Sequence, residues 1–269
     1  VSDRVAAFFD LDKTILAASS TLALGRSFRD IGLVGPGTAA RSAYAHAVYV
    51  LRGADHVQME RMKQFLTELV TGWDVAVVSK AVEAALDDVL MPLLHAEAAE
   101  LIRWHRENDR EVAIVTSSAE EVVRPVAERL GVDHVLATRM DVEDGRYTGI
   151  VDFYCYGPAK AEAIRALAAE RGYRLEDCYA YSDSFTDLAM LAAVGRPHAV
   201  NPDRRLLEHA QVHGWPVLHF EAPQAAVTRL LRVARPSATA LGAVAGAVGV
   251  AALTASAAVV VARRRRPRP

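Results

Sequence analysis

In Val5-Ala6-Ala7-Phe8-Phe9-Asp10-Leu11-Asp12-Lys13-Thr14, five apolar residues run straight into two carboxylates spaced by one residue. The apolar run has the length and composition of a strand buried on both faces, as in a parallel sheet. The carboxylates then stand where that strand emerges, and open α/β sheets bind ligands outside the carboxyl ends of their strands. Two acids so close together need a cation or a shared proton between them. One can attack phosphorus as a nucleophile while the other gives a proton to the leaving oxygen.

Similar short runs recur at residues 112–115, 134–137, 178–181, 198–200 and 215–220, between stretches with helical spacing. This alternation predicts a mostly parallel sheet with helices on its faces. Residues 120–130 carry apolar side chains at Val122, Val123, Val126 and Leu130 and stop at Gly131, and residues 159–171 repeat the device before Gly172. Asp144-Gly145, between two alternating runs over residues 138–151, predicts a hairpin. From residue 20 to 94 the pattern is helical throughout, at 41–51, 56–70 and 75–90, so an all-helical cap is expected between the first and second strands.

The chain has 269 residues, 52% apolar and 24% charged, enough to build a core. Its net charge of −2 hides five arginines in the last seven residues, which leave −7 on residues 1–262 and no basic excess to recruit nucleic acid. Cys155 and Cys178 are too few for a disulfide framework and read as buried, reduced thiols. Residues 238–262 contain no charge and are long enough, as a helix, to cross a bilayer. With no leader-like stretch ahead of the first strand, a single-pass membrane protein is expected, its body on the cytoplasmic face; the terminal arginines pull against this orientation, Arg229, Arg232 and Arg235 soften the conflict, and the side reached by the tail stays open.

Four separated segments supply chemistry in order: Asp10 and Asp12; Thr116-Ser117-Ser118 after the run at 112–115; Lys160 opening a helix; and Asp183 and Asp187 after the run at 178–181. Phosphoryl transfer can use each of them. A hard divalent cation on Asp10 and Asp183 would neutralise a phosphate dianion and its attacking carboxylate. Lys160 and a Thr116 or Ser117 hydroxyl could hold the equatorial oxygens. Ser117 and Ser118 also stand where caps for the helix at 120–130 belong. His209 and His213 have i,i+4 spacing but no accompanying Glu, and read as ordinary surface or core histidines.

These segments resemble the four ordered motifs of the haloacid dehalogenase superfamily, in its phosphoserine-phosphatase-like branch with a helical cap between the first two motifs. The resemblance spans about residues 4–220. It implies an aspartyl nucleophile at Asp10 and an acid/base at Asp12 whose backbone carbonyl binds Mg²⁺. It further implies a phosphate-binding hydroxyl at Thr116, the motif cation at Lys160, a metal-binding acid at Asp183 and its outer partner at Asp187. The hairpin at 142–149 also resembles one typical of this branch. An Asp at position 12 separates phosphatases from dehalogenases, which lack it, and from transport ATPases, which have Thr there. One departure bears on substrate: phosphoserine phosphatases carry a Glu shortly after the first motif, and this chain has no acid from Lys13 to Arg29.

The expectation is therefore a Rossmann-like α/β core over residues 1–19 and 95–220, with the cap at 20–94. A linker at 221–237, a transmembrane segment at 238–262 and a basic tail at 263–269 follow. The expected activity is a Mg²⁺-dependent phosphomonoesterase acting on a small-molecule or lipid phosphate. The alternatives are a phosphotransferase using the same intermediate and a catalytically idle membrane-tethered scaffold.

Overall fold

The computed structural model describes residues 4–35, 64 and 67–223, all within a compact unit over Val1–Ala226. The expected helix at 41–51, most of that at 56–70, the apolar run at 238–262 and the basic tail lie outside the described residues. Among the described residues, no helix is long and apolar enough to cross a membrane.

Seven strands form one sheet: β1 (Ala6–Phe9), β2 (Glu111–Ala119), β3 (His134–Glu143), β4 (Arg146–Phe153), β5 (Tyr179–Ser182), β6 (Arg196–Val200) and β7 (Val217–Leu218), in the order β4-β3-β2-β1-β5-β6-β7. All neighbours pair in parallel except β3 and β4. The antiparallel pair is the expected hairpin, with Asp144 and Gly145 both at positive φ (48° and 75°) in its turn.

The helices are α1 (Ser20–Asp30), α2 (Val75–Ala85), α3 (Ala96–Glu107), α4 (Glu120–Leu130), α5 (Pro158–Arg171), α6 (Leu188–Leu191) and α7 (Arg204–His213). The helix expected over 75–90 is an α-helix only to Ala85; a π-helical stretch (Leu86–Leu90) and a 3₁₀ turn (Met91–Leu93) follow. Pro92 has no N–H to carry the hydrogen-bond ladder further, and the chain turns extended at Leu94. The last expected strand, at 215–220, is reduced to two residues at the sheet edge.

Strand alternation divides the core in two. Ala7, Phe9, Val112, Ile114, Tyr179 and Tyr181 face one layer with Ile102 of α3 and Val122, Val123 and Val126 of α4. Ala6, Phe8, Ala113, Val115 and Ala180 face the other, with Ile164 of α5, Met190 of α6 and Leu206 of α7. Covered on both faces, these strands have no polar side to display, which is why they read as continuous apolar runs.

The chain leaves β1 for β2 on one side and later adds β5 on the other, so the order reverses at β1. Its register sets Phe9 opposite both Ile114 and Tyr181, which places Asp10 between the ends of β2 and β5. The two legs joining the helical segment to the sheet pair with each other: Ala17 N–H donates to the Leu93 carbonyl (2.7 Å) and His95 N–H to that of Ile15 (3.0 Å).

Candidate active site

Asp10 follows the last residue of β1, its N–H donating to the Tyr181 carbonyl at 2.9 Å. Its carboxylate is buried, and the Lys160 ammonium donates to it at 2.7 Å. Lys160 comes from the first turn of α5, itself buried, and donates equally to Asp187 at 2.7 Å. The Ser182 hydroxyl donates to the same Asp187 oxygen, also at 2.7 Å. Three of the four sequence segments thus meet through one lysine, although Asp10 and Lys160 are 150 positions apart.

The loop after β5 is tied down by a residue the sequence did not single out. Asp203, the N-cap of α7, accepts from Leu206 N–H and from Phe185 N–H, each at 2.8 Å, and its own N–H donates to the Asp183 carbonyl at 2.7 Å. Its capping role was readable locally; its hold on the Asp183 loop was not.

Asp12 is half-buried and accepts hydrogen bonds on both oxygens, from Ser20 N–H at 2.9 Å and from the Ser118 hydroxyl at 3.3 Å. Ser118 N–H in turn donates to Thr116 Oγ1 at 3.2 Å, which joins the second segment to the first. Strand β2 runs on to Ala119, so alternation turns Thr116 and Ser118 inward and leaves Ser117 exposed. Ser117 is not among the side chains brought together; its carbonyl accepts from Thr138 Oγ1 at 2.8 Å. The capping role expected for Ser117 and Ser118 is corrected as well: Ala119 occupies the N-cap of α4, with no side-chain cap.

The electrostatics are those of an acid cluster with too little positive charge. Burial, together with the Asp187 and Asp12 carboxylates, pushes Asp10 up to about 7 against the pull of Lys160. Burial and the neighbouring Asp10 push Asp183 up to about 8, with Lys13 opposing. Burial disfavours the charged Lys160, but Asp10 and Asp187 outweigh it and hold the ammonium above its ordinary range. Burial raises Asp12 too, with the Ser20 and Ser118 hydrogen bonds working the other way.

One lysine is already committed to Asp10 and Asp187, so a further cation would relieve what remains between Asp10 and Asp183. The donors available are oxygens, the set a hard divalent ion takes. Among the described residues, no three His, Cys, Asp or Glu side chains gather as a metal cage. Two carboxylates and a backbone carbonyl, with substrate oxygens and water, suit Mg²⁺, which keeps part of its hydration shell.

The remaining residues flagged in the sequence lie elsewhere. Cys155 and Cys178 are buried and free, as expected. His209 and His213 stack on each other, ring centroids 3.9 Å apart, beside Trp215.

Residues 7–192 match the sequence model of the family described as haloacid dehalogenase-like hydrolase. A probable phosphatase of Mycobacterium tuberculosis is 53% identical over 262 residues, covering 97% of this chain and 90% of that protein. A phosphoserine phosphatase of the same organism is 33% identical over 260 residues, covering 92% of this chain and 80% of its own length. Among solved structures, the phospho-aspartyl intermediate analogue of a phosphoserine phosphatase superposes with a TM-score of 0.60 at 19% identity, over 85% of this chain and 99% of that one. At that identity the likeness is one of fold.

Proposed function

Because this chain belongs to the haloacid dehalogenase-like hydrolase family and is a phosphoric monoester hydrolase, we propose that it cleaves its ester in two steps through a phosphorylated Asp10. The observation that carries this reading is the buried Lys160 ammonium, 2.7 Å from both Asp10 and Asp187 at the carboxyl ends of β1 and β5.

In the first step an Asp10 oxygen bonds to phosphorus in line with the leaving oxygen, the bond to that oxygen breaks, and Asp12 gives it a proton. In the second, Asp12, now a carboxylate, takes a proton from a water that attacks the same phosphorus, and Asp10 is released with inorganic phosphate. Lys160 and the Thr116 hydroxyl offset charge on the transferring oxygens. Asp10, Asp183 and the backbone carbonyl of Asp12 would hold Mg²⁺, which would supply the charge that offsets repulsion between a phosphate dianion and the Asp10 carboxylate. All of these residues fall within the core expected over residues 1–19 and 95–220.

The substrate is a phosphomonoester of a small molecule or a lipid. The lack of any acid from Lys13 to Arg29 argues against phosphoserine, whose ammonium needs a counter-ion. The uncharged run at 238–262 supports a single-pass membrane anchor, and the body is placed on the cytoplasmic face because its first apolar stretch reads as a strand and not as a leader.

The test is phosphate release from a generic phosphate ester. The wild type is expected to be active, to lose activity in EDTA and to regain it with Mg²⁺. Asp10→Asn is expected to abolish turnover with an unchanged melting transition; an Asp10→Asn protein that still turns over would remove the intermediate.

A further inference from the structure

Asp12 is held by serines from two parts of the fold, Ser19 and Ser20 at the start of α1 and Ser118 on β2. Ser20 N–H donates to Oδ1 at 2.9 Å, the Ser118 hydroxyl lies 3.3 Å from Oδ2, and the two serine hydroxyls are 3.1 Å apart. Both serines are buried. They come from different parts of the fold: Ser20 is the first residue of α1, in the helical segment, and Ser118 lies on β2 beside Thr116. Nothing in the local sequence pairs them, 98 positions apart.

The two donors differ in kind. A backbone N–H can only donate, so Ser20 keeps Oδ1 an acceptor and leaves Oδ2 as the oxygen that carries the proton. A serine hydroxyl both donates and accepts. When Asp12 is protonated, the Ser118 hydroxyl can turn its hydrogen toward Ser20 Oγ. Once that proton has gone to the leaving oxygen, the same hydroxyl can turn back and donate to the bare Oδ2.

We propose that Ser118 and Ser20 are positioning residues that aim the Asp12 carboxyl at the leaving oxygen, and that they make it serviceable only when the first turn of α1 is seated against β2. Packing the first turn of α1 against β2 and readying the acid are then one event. An acid misplaced by a small angle loses much of its effect, and the bond to Oδ1 and the contact between the two serine hydroxyls exist only in that arrangement.

This inference rests on the reading of Asp12 as general acid, and leaving-group dependence tests the two separately. Breaking the phosphorus–oxygen bond leaves an electron pair on the departing oxygen. An alkoxide needs a proton there, whereas p-nitrophenolate departs without one. kcat/KM reports every step up to phosphorylation of Asp10, so it isolates the acid step from the later water attack.

The full chain is assayed with glycerol phosphate and with p-nitrophenyl phosphate. Ser118→Ala is expected to lower kcat/KM for the alkyl ester by about tenfold or more and to lower that for the aryl ester far less, by under about threefold; complete loss of an acid is worth about 10²–10⁴. Ser20→Pro should give the same split, because proline is tolerated at the first helical position and removes the N–H. Ser118→Thr, which keeps the hydroxyl, should recover alkyl activity, and the aryl rate serves as the check on folding. Asp12→Asn should split the two substrates more strongly than either serine variant. If Asp12→Asn splits them while Ser118→Ala and Ser20→Pro lower both equally or neither, the positioning role is refuted and the acid stands. If Asp12→Asn itself shows no split, the acid assignment fails and this inference with it.

Discussion

His105 sits at the C-terminal end of α3 with no exposed surface, its Nε2 2.9 Å from the Tyr181 hydroxyl and its ring edge-on to Phe9, Trp104 and Tyr179. A helix C-terminus ordinarily favours a cation. Here burial overrides it, aided by the Arg110 guanidinium 3.4 Å from Nδ1, and the imidazole is held down at about 3. The folded protein therefore keeps this ring neutral, while the unfolded chain protonates it near 6.5. Stability from His105 is complete above pH 6.5 and is lost progressively as pH falls toward 3. At pH 5 the gap is about 1.5 pH units, or about 2 kcal/mol at 1.36 kcal/mol per unit, and any folded value below about 4 gives the same result.

The raw pH profile would not isolate this effect. Asp10 and Asp183, pushed up to about 7 and about 8, act in the opposite sense, because the fold takes up protons there before the unfolded chain does. His105→Phe removes the titration and keeps a ring in the aromatic cluster. The loss of the Tyr181 partner costs the same at every pH and cancels. Urea unfolding of both proteins at pH 7.5 and pH 5.0 should show the wild type losing about 2 kcal/mol more than the variant between the two. Equal changes in the two proteins would refute the claim that burial keeps this histidine neutral.

Lys160→Met leaves Asp10 and Asp187 without their shared cation; breaking a buried pair from one side typically costs about 3–5 kcal/mol, and kcat should fall at least about 100-fold. Urea melts and phosphate release check both, and a variant as active as the wild type would take the lysine out of the chemistry. Two glycines should respond with opposite signs. A Cβ on Gly195 would lie 1.8 Å from the Glu176 carbonyl oxygen and 2.6 Å from its carbon, so backbone must move and Gly195→Ala should cost about 2 kcal/mol or more. Gly25, inside α1, has nothing within 4 Å of its Cβ position, so Gly25→Ala should gain about 0.5–1 kcal/mol. Thermal unfolding of the pair decides, and equal shifts would mean that contact at Gly195 is not what matters.

The sheet was legible because parallel strands covered on both faces leave a mark that needs no partner to be seen: apolar runs closed by a polar residue at the carboxyl end. Asp10, Thr116 and Asp183 each follow from that mark, since each ends or follows such a run. The helix stops at Gly131 and Gly172 were legible for a related reason, as both adopt the left-handed conformation that ends a helix, with φ of 67° and 73°. What the runs could not disclose was their exact length. Apolar content predicts β2 as ending at Val115, whereas its pairing with β3 resumes at Ala119 after a register shift, carrying three hydroxyl residues into the strand.

That difference of four residues explains why Ser118 reads wrongly from sequence. Beside a helix beginning at Glu120, a serine invites a local rule, that small hydroxyl residues cap helices. The rule applies only if the chain has already left the strand. Since it has not, period-two alternation governs instead, and it sends Thr116 and Ser118 to one side and Ser117 to the other. The local signal and the tertiary one compete at the same residue, and the strand wins because β3 is there to pair with it. Asp203 shows the opposite case: its helix-capping role survives folding, and the lone pairs left over reach Phe185 on the loop that carries Asp183. In both cases the motif residues are visible one at a time, whereas the residues that hold them in position depend on which strands become neighbours.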